Sequence, residues 1–205
     1  MKILFVCTGN TCRSPMAEAL VKHHMPSIEV QSAGIYAGSN ERANQHAIEA
    51  LKQKGIELNH RSQPVTDELM QWADLVLTMT TAHKQSLLLQ QPRFHDKIFT
   101  FKEYVSDTDN KVWQQLTKAY ADLEEKRSVF IQEHQYKLDN HRLTEELEAH
   151  LADDIQHIKK LEASIGNDDI SDPFGGDLQT YQHTLTEIET YLKELEKKLD
   201  KRENG

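Results

Sequence analysis

Apolar residues in this chain change their spacing several times, and each change marks an element. Ile3 to Val6 form a continuous apolar run rich in β-formers, the pattern of a strand buried on both faces. Ser14-Pro15 then reads as helix N-cap and first helical residue, with Glu18 in the first turn; the helix continues from Ala17 to Met25, and Pro26 closes it. Ile28 to Gly34 alternates as a second strand, and Ala43 to Lys54 is an amphipathic helix stopped by Gly55. Ala73 to Met79 is a third strand, about Ala82 to Leu89 a helix, and Lys97 to Phe101 a fourth strand. Strands alternating with helices imply βαβ units, hence an α/β fold with a four-stranded parallel sheet and helices on both faces. Ligands of such sheets bind beyond the carboxyl ends of the strands, where Cys7 falls.

Past Ser106 the texture changes. No Pro or Gly occurs from Phe94 to Ile165, and helix formers dominate. Leu116, Ala119, Leu123 and Phe130 repeat at helical spacing, and so do Leu143, Leu147, Leu151, Ile155, Ile158, Leu161 and Ile165. With Asp139-Asn-His141 as the turn, this predicts an antiparallel helical hairpin inserted at about 106–168 into a single domain spanning 1–205. Asp177 to Lys198 reads as a final amphipathic helix, its stripe formed by Leu178, Tyr181, Leu185, Ile188, Leu192, Leu195 and Leu199.

Composition narrows the partners. A formal net charge of -9 argues against nucleic acid or an anionic membrane surface. The acidity gathers in the hairpin, where 14 acids stand against 8 bases between Ser106 and Asp168; a solvated face explains this better than a recognition surface. No apolar run is long enough to span a bilayer, and the chain enters a strand at once instead of a signal peptide. The 2 cysteines share one loop and are not a secreted disulfide framework, so a cytoplasmic protein is expected.

That loop, Cys7-Thr-Gly-Asn-Thr-Cys-Arg-Ser-Pro15, lies between strand and helix. Backbone N–H groups of Thr8, Gly9, Asn10, Thr11, Cys12 and Ser14 there converge on one concavity at the positive end of a helix dipole, which is how proteins hold phosphate. A helix N-terminus and a nearby cation favour the thiolate of Cys7, the nucleophilic form of a cysteine. The planar fork of Arg13 suits two phosphoryl oxygens, and the Ser14 hydroxyl is placed to donate towards the sulfur. These parts suit phosphoryl transfer through a cysteinyl-phosphate. The alternative is a structural cysteine in a βα turn.

The same nine residues resemble the phosphate loop of the low-molecular-weight protein tyrosine phosphatases, and within that family they look closest to the bacterial protein arginine phosphatases. The resemblance runs from Met1 to about Val105 and resumes near Ile170. It implies that Ser32 and His60 brace Asn10, whose backbone is strained in the family; local spacing alone would leave His60 a loop histidine. It also implies that Asp172, in Asp172-Pro173-Phe174 with Gly175-Gly176 after it, is the general acid. Locally that stretch is an ordinary Asx-Pro turn. Tyr36 would wall the mouth of the site. Thr11 stands where tyrosine-specific relatives carry a bulky aliphatic residue, so the resemblance makes it the residue that selects the substrate.

The expected activity is hydrolysis of phosphoarginine in phosphorylated proteins, with tyrosine phosphatase on the same scaffold as the alternative. No metal or cofactor is expected, since loop amides and Arg13 supply the positive charge. A thiol-linked arsenate reductase has a similar loop but needs two cysteines downstream, and Cys7 and Cys12 are the only ones. A binding module that uses the hairpin as a docking arm is the reading furthest from catalysis. Cys12 beside a reactive thiolate suggests redox sensitivity.

Overall fold

The computed structural model describes residues 1–134, 137, 139–164 and 168–203. They form two compact units, Met1–Ser106 with Asp168–Gly205, and Asp107–Asn167.

The first unit is built on β1 (Lys2–Cys7), β2 (Glu29–Gly34), β3 (Leu75–Thr78) and β4 (Ile98–Thr100), all parallel in the order β2-β1-β3-β4. Its helices are α1 (Arg13–His24), α2 (Gln45–Gln53), α3 (Asp67–Trp72), α4 (Thr81–Gln90), α5 (Phe101–Val105) and α8 (Leu178–Glu203). Alternate residues of β1 serve opposite layers. Ile3 and Phe5 join Met16 and Leu20 of α1, Leu51 of α2, Phe101 of α5 and Tyr181, Leu185 and Ile188 of α8. Leu4 and Val6 join Met70 of α3 and Leu87 of α4. All four β1 side chains are fully buried, and each contributes about 1.5–3 kcal/mol by leaving water. The strand that ends in Cys7 is therefore held from both faces. Strand order reverses direction beside β1, which opens a crevice at the carboxyl ends of β1 and β3.

Local chemistry sets most boundaries. The Asn44 side chain accepts the His46 N–H at 2.8 Å to start α2, and Gly55, at φ +76°, ends its last turn. Helix α1 differs from the expected start. It begins at Arg13 with Cys12 in the cap position, so Ser14 is helical and Glu18 lies past the first turn. The reason is that the Ser14 hydroxyl is committed elsewhere, as described below. Strand β4 ends at Thr100, because Thr100 and Glu103 form a capping box that starts α5 at Phe101. Helix α3 was not anticipated; the Thr66 hydroxyl accepts from Leu69 N at 3.3 Å to start it.

In the second unit α6 (Asp107–His134) and α7 (Asn140–Ser164) pack antiparallel. Lys126 Nζ meets Asp154 Oδ1 at 2.7 Å, and the Phe130 ring lies 4.9 Å from that of His150. Leu116, Phe130, Leu151 and Ile158 are buried. The expected turn at Asp139–His141 is corrected. Asp139 Oδ1 accepts from the N–H groups of His141 (3.1 Å) and Arg142 (3.0 Å), which caps α7 and makes His141 helical. Helix α6 ends at His134 and α7 starts at Asn140; of the residues between them only Lys137 and Asp139 are described, and Ile165 lies outside the described residues. No helix among the described residues is long and apolar enough to cross a membrane.

Candidate active site

Cys7 is the last residue of β1 and is 3% exposed. The loop after it turns back tightly enough that Asn10 adopts φ +54°, a left-handed backbone that favours Asn over most residues. Asn10 is fully buried, and its side chain is saturated. Its Nδ2 donates to Ser32 Oγ at 2.8 Å and to Ser14 Oγ at 3.0 Å. Its Oδ1 accepts from Gln63 N at 2.9 Å and lies 3.1 Å from His60 Nε2. Gly34, at the end of β2, presses against the same loop. A Cβ there would sit 2.7 Å from Thr8 O and 2.9 Å from Asn10 N, so only glycine fits without moving the loop.

Ser14 Oγ lies 3.0 Å from Cys7 Sγ and 3.5 Å from Ala33 O, and it accepts from Asn10. A hydroxyl has one proton to give. With Asn10 supplying the incoming bond and sulfur the nearer acceptor, Ser14 O–H points at Cys7 Sγ. That commitment is why Ser14 does not cap α1.

Arg13 is 5% exposed and donates through Nη2 to Asp172 Oδ2 at 2.9 Å and through Nη1 to Ile170 O at 3.4 Å. Asp172 reaches it because the returning chain is tied to the sheet: Ile170 N donates to Met79 O at 2.8 Å and Thr81 N to Asp169 Oδ1 at 2.7 Å. Ser171 Oγ donates to Glu187 Oε2 at 2.6 Å, which anchors the loop to α8. The Asp172 carboxylate is half exposed, with Oδ1 accepting from Phe174 N at 3.2 Å. Phe174 and Tyr36 are 77% and 72% exposed, and Tyr36 N donates to Thr8 O at 2.9 Å. Tyr36 therefore stands at the edge of the loop.

The structure thus brings Cys7 through Ser14 into one loop, sets Ser32 and His60 against Asn10, and sets Asp172 against Arg13. Thr11 is half-buried; its carbonyl accepts Asn44 N at 2.8 Å, and its hydroxyl lies 3.6 Å from Cys12 Sγ. Cys12 is buried 3.3 Å from Tyr181 Oη. Burial raises the pKa of both, so each stays protonated at neutral pH.

Other groups escaped the sequence reading. Glu18 Oε2 accepts from Ser32 Oγ at 2.5 Å and lies 3.6 Å from His60 Nδ1, so it supports the brace from behind. Burial lowers the His60 pKa against the pull of Glu18. His83 Nε2 lies 2.8 Å from Thr8 Oγ1. No local motif marks these residues; Ser-x-x-x-Glu from Ser14 to Glu18 was the sole hint of a shared face. Among the described residues no three His, Cys, Asp or Glu side chains are grouped to hold a metal ion.

The chain as a whole is similar to known proteins. The family model described as low molecular weight phosphotyrosine protein phosphatase matches residues 2–126. A protein-arginine-phosphatase of Bacillus subtilis (strain 168) is 38% identical over 205 residues, covering 98% of this chain and 98% of the relative. A protein-arginine-phosphatase of Geobacillus stearothermophilus is 35% identical over 199 residues, covering 97% and 95%. A solved structure of the YwlE arginine phosphatase, a cysteine-to-serine mutant with a phosphorylated active-site serine, superposes with TM-score 0.67 at 38% identity, covering 98% of this chain and 97% of that one.

Proposed function

The chain belongs to the low molecular weight phosphotyrosine protein phosphatase family, and from that premise we propose that it removes phosphate from arginine side chains of proteins. The observation that carries the chemistry is the 3.0 Å contact of Ser14 Oγ with a buried Cys7 Sγ at the head of a loop that also holds Arg13. That contact stabilises the sulfur as an anion, which it must be both as nucleophile and as leaving group.

The Cys7 thiolate attacks phosphorus while the P–N bond to the guanidine breaks, and Asp172 gives its proton to the departing nitrogen. Water then attacks the cysteinyl-phosphate, Asp172 takes back a proton, and Cys7 leaves as thiolate. Loop amides and Arg13 hold the equatorial oxygens throughout. Arg13 Nη2 is occupied by Asp172 in this structure. A bound phosphoryl group competes for that donor and releases the carboxyl to turn towards the leaving group.

Two relatives aligned over nearly the whole chain are named for arginine, which supports the substrate class. Thr11 supports it chemically. Its hydroxyl fits beside a flat polar guanidinium, whereas Ile would crowd that group and leave N–H donors unpaired. The family description keeps phosphotyrosine as the second reading. Two free thiols in one loop suit the reducing cytoplasm, where we place the enzyme. The test measures kcat/KM on phosphoarginine and phosphotyrosine peptides side by side. Thr11→Ile is expected to move the ratio towards phosphotyrosine by about tenfold, or 1.4 kcal/mol. An unchanged ratio in an active mutant would favour the tyrosine reading.

A further inference from the structure

One polar pair at the rim of the loop takes no part in this chemistry. Thr8, the residue after the nucleophile, is exposed, and its Oγ1 lies 2.8 Å from His83 Nε2. His83 sits in the first turn of α4, which Thr80 caps by accepting the His83 N–H at 3.2 Å. The residue is 8% exposed, and among the described residues its Nδ1 is buried without a hydrogen-bond partner.

An orphaned buried N–H is rarer than an orphaned acceptor, so the ring carries its proton on Nε2 and donates to Thr8. Burial and the neighbouring Arg13 cation lower the His83 pKa to about 4, which keeps the ring neutral in the working range. A hydroxyl has two lone pairs. Thr8 Oγ1 accepts one bond from His83 and keeps a second lone pair; in the opposite tautomer it would keep both. Either way a fixed acceptor on an exposed residue remains uncommitted. His83 also feels the charge of Asp172. Two residues before His83, Thr81 N donates to Asp169 Oδ1 at 2.7 Å, so the turn that holds the pair also holds the segment that carries Asp172 to Arg13.

We propose that Thr8 Oγ1, held by His83, accepts a guanidinium N–H of the departing arginine and so helps to select phosphoarginine over phosphotyrosine, which has no such donor. Thr8 touches the substrate, and His83 is a positioning residue. The proposal rests on the phosphoarginine reading. It adds a second acceptor from the loop to that of the Thr11 hydroxyl, one fixed in place by a buried ring.

The test uses the full chain and both phosphopeptides. His83→Leu is expected to lower the phosphoarginine-to-phosphotyrosine ratio of kcat/KM by about tenfold, because sites that hydrogen-bond their substrate discriminate strongly. His83→Gln should restore most of it, since its Nε2 amide reaches where the ring nitrogen was. Thr8→Val, at an exposed position, should reproduce the loss if His83→Leu folds poorly. The double variant should add nothing, because both changes remove one contact. An equal loss on both peptides, or Gln no better than Leu, would overturn the pair. A wild-type chain inactive on phosphoarginine would overturn the substrate reading itself, and the pair with it.

Discussion

The loop stands or falls with Asn10. Replacing it by Ala removes the side chain that joins Ser14, Ser32, His60 and Gln63, all at 2.8–3.1 Å. Each bond is worth about 1 kcal/mol, and the partners lose it inside a fully buried pocket, so the loss sums to about 4 kcal/mol. Ala must also hold φ +54°, which costs a residue with a Cβ about 1 kcal/mol more. Asn10→Gly loses the same bonds without that strain. At roughly 2–4 °C per kcal/mol for a chain of this size, Asn10→Ala should melt roughly 10–20 °C below wild type, with Asn10→Gly roughly 2–4 °C above Asn10→Ala. Thermal unfolding with and without inorganic phosphate reads both effects. Phosphate should stabilise wild type by binding the folded loop and should do so far less in either variant. An Asn10→Ala protein that melts within about 2 °C of wild type and keeps the phosphate shift would refute the reasoning.

Asp172→Asn should slow turnover of phosphoarginine by about 10²–10⁴-fold, and near wild-type rates would remove Asp172 as the acid. Peroxide should convert the Cys7 thiolate to a sulfenic acid that Cys12 closes to a disulfide with loss of water; if Cys12→Ser recovers with dithiothreitol as fully as wild type, Cys12 protects nothing. His83 takes up a proton near pH 6.5 when unfolded but only near 4 when folded, so the unfolded chain binds more protons between those values and stability is lost as pH falls through them. Melting scans across that range should show the loss, with a flatter profile in His83→Gln; equal slopes would contradict it. Replacing 107–167 by a short flexible linker should leave the remaining unit cooperatively folded, and loss of soluble protein would show that the hairpin supports it.

Some of this was readable one stretch at a time. The Ile3–Val6 run, the loop with Cys7 and Arg13, and the later strands rest on hydrophobic period and backbone chemistry, which neighbours in sequence settle. The capping box of Thr100 and Glu103 was equally local, and weighing it would have moved the end of β4 back to Thr100. Ser14 marks the limit of such rules. Ser before Pro signals a cap, yet here a bond to Cys7 and another from Asn10 hold the hydroxyl, and the helix starts one residue before it. The turn of the hairpin moved for a related reason, since the Asp139 side chain capped the next helix instead of ending in a loop.

The sequence by itself determined the fold class and the nucleophilic loop, because a buried parallel strand and a phosphate-binding turn are written in consecutive residues. Family resemblance pointed to Ser32, His60 and Asp172, but tertiary structure alone decided the contacts that distant side chains make with that loop, and added Glu18 and His83 to them. His83 meets Thr8 across 75 positions, Asp172 meets Arg13 across 159, and Tyr181 meets Cys12 across 169. A polar side chain carries no mark of its partner. The partner is whichever group the strand order β2-β1-β3-β4 and the packing of α4 and α8 bring within bonding distance.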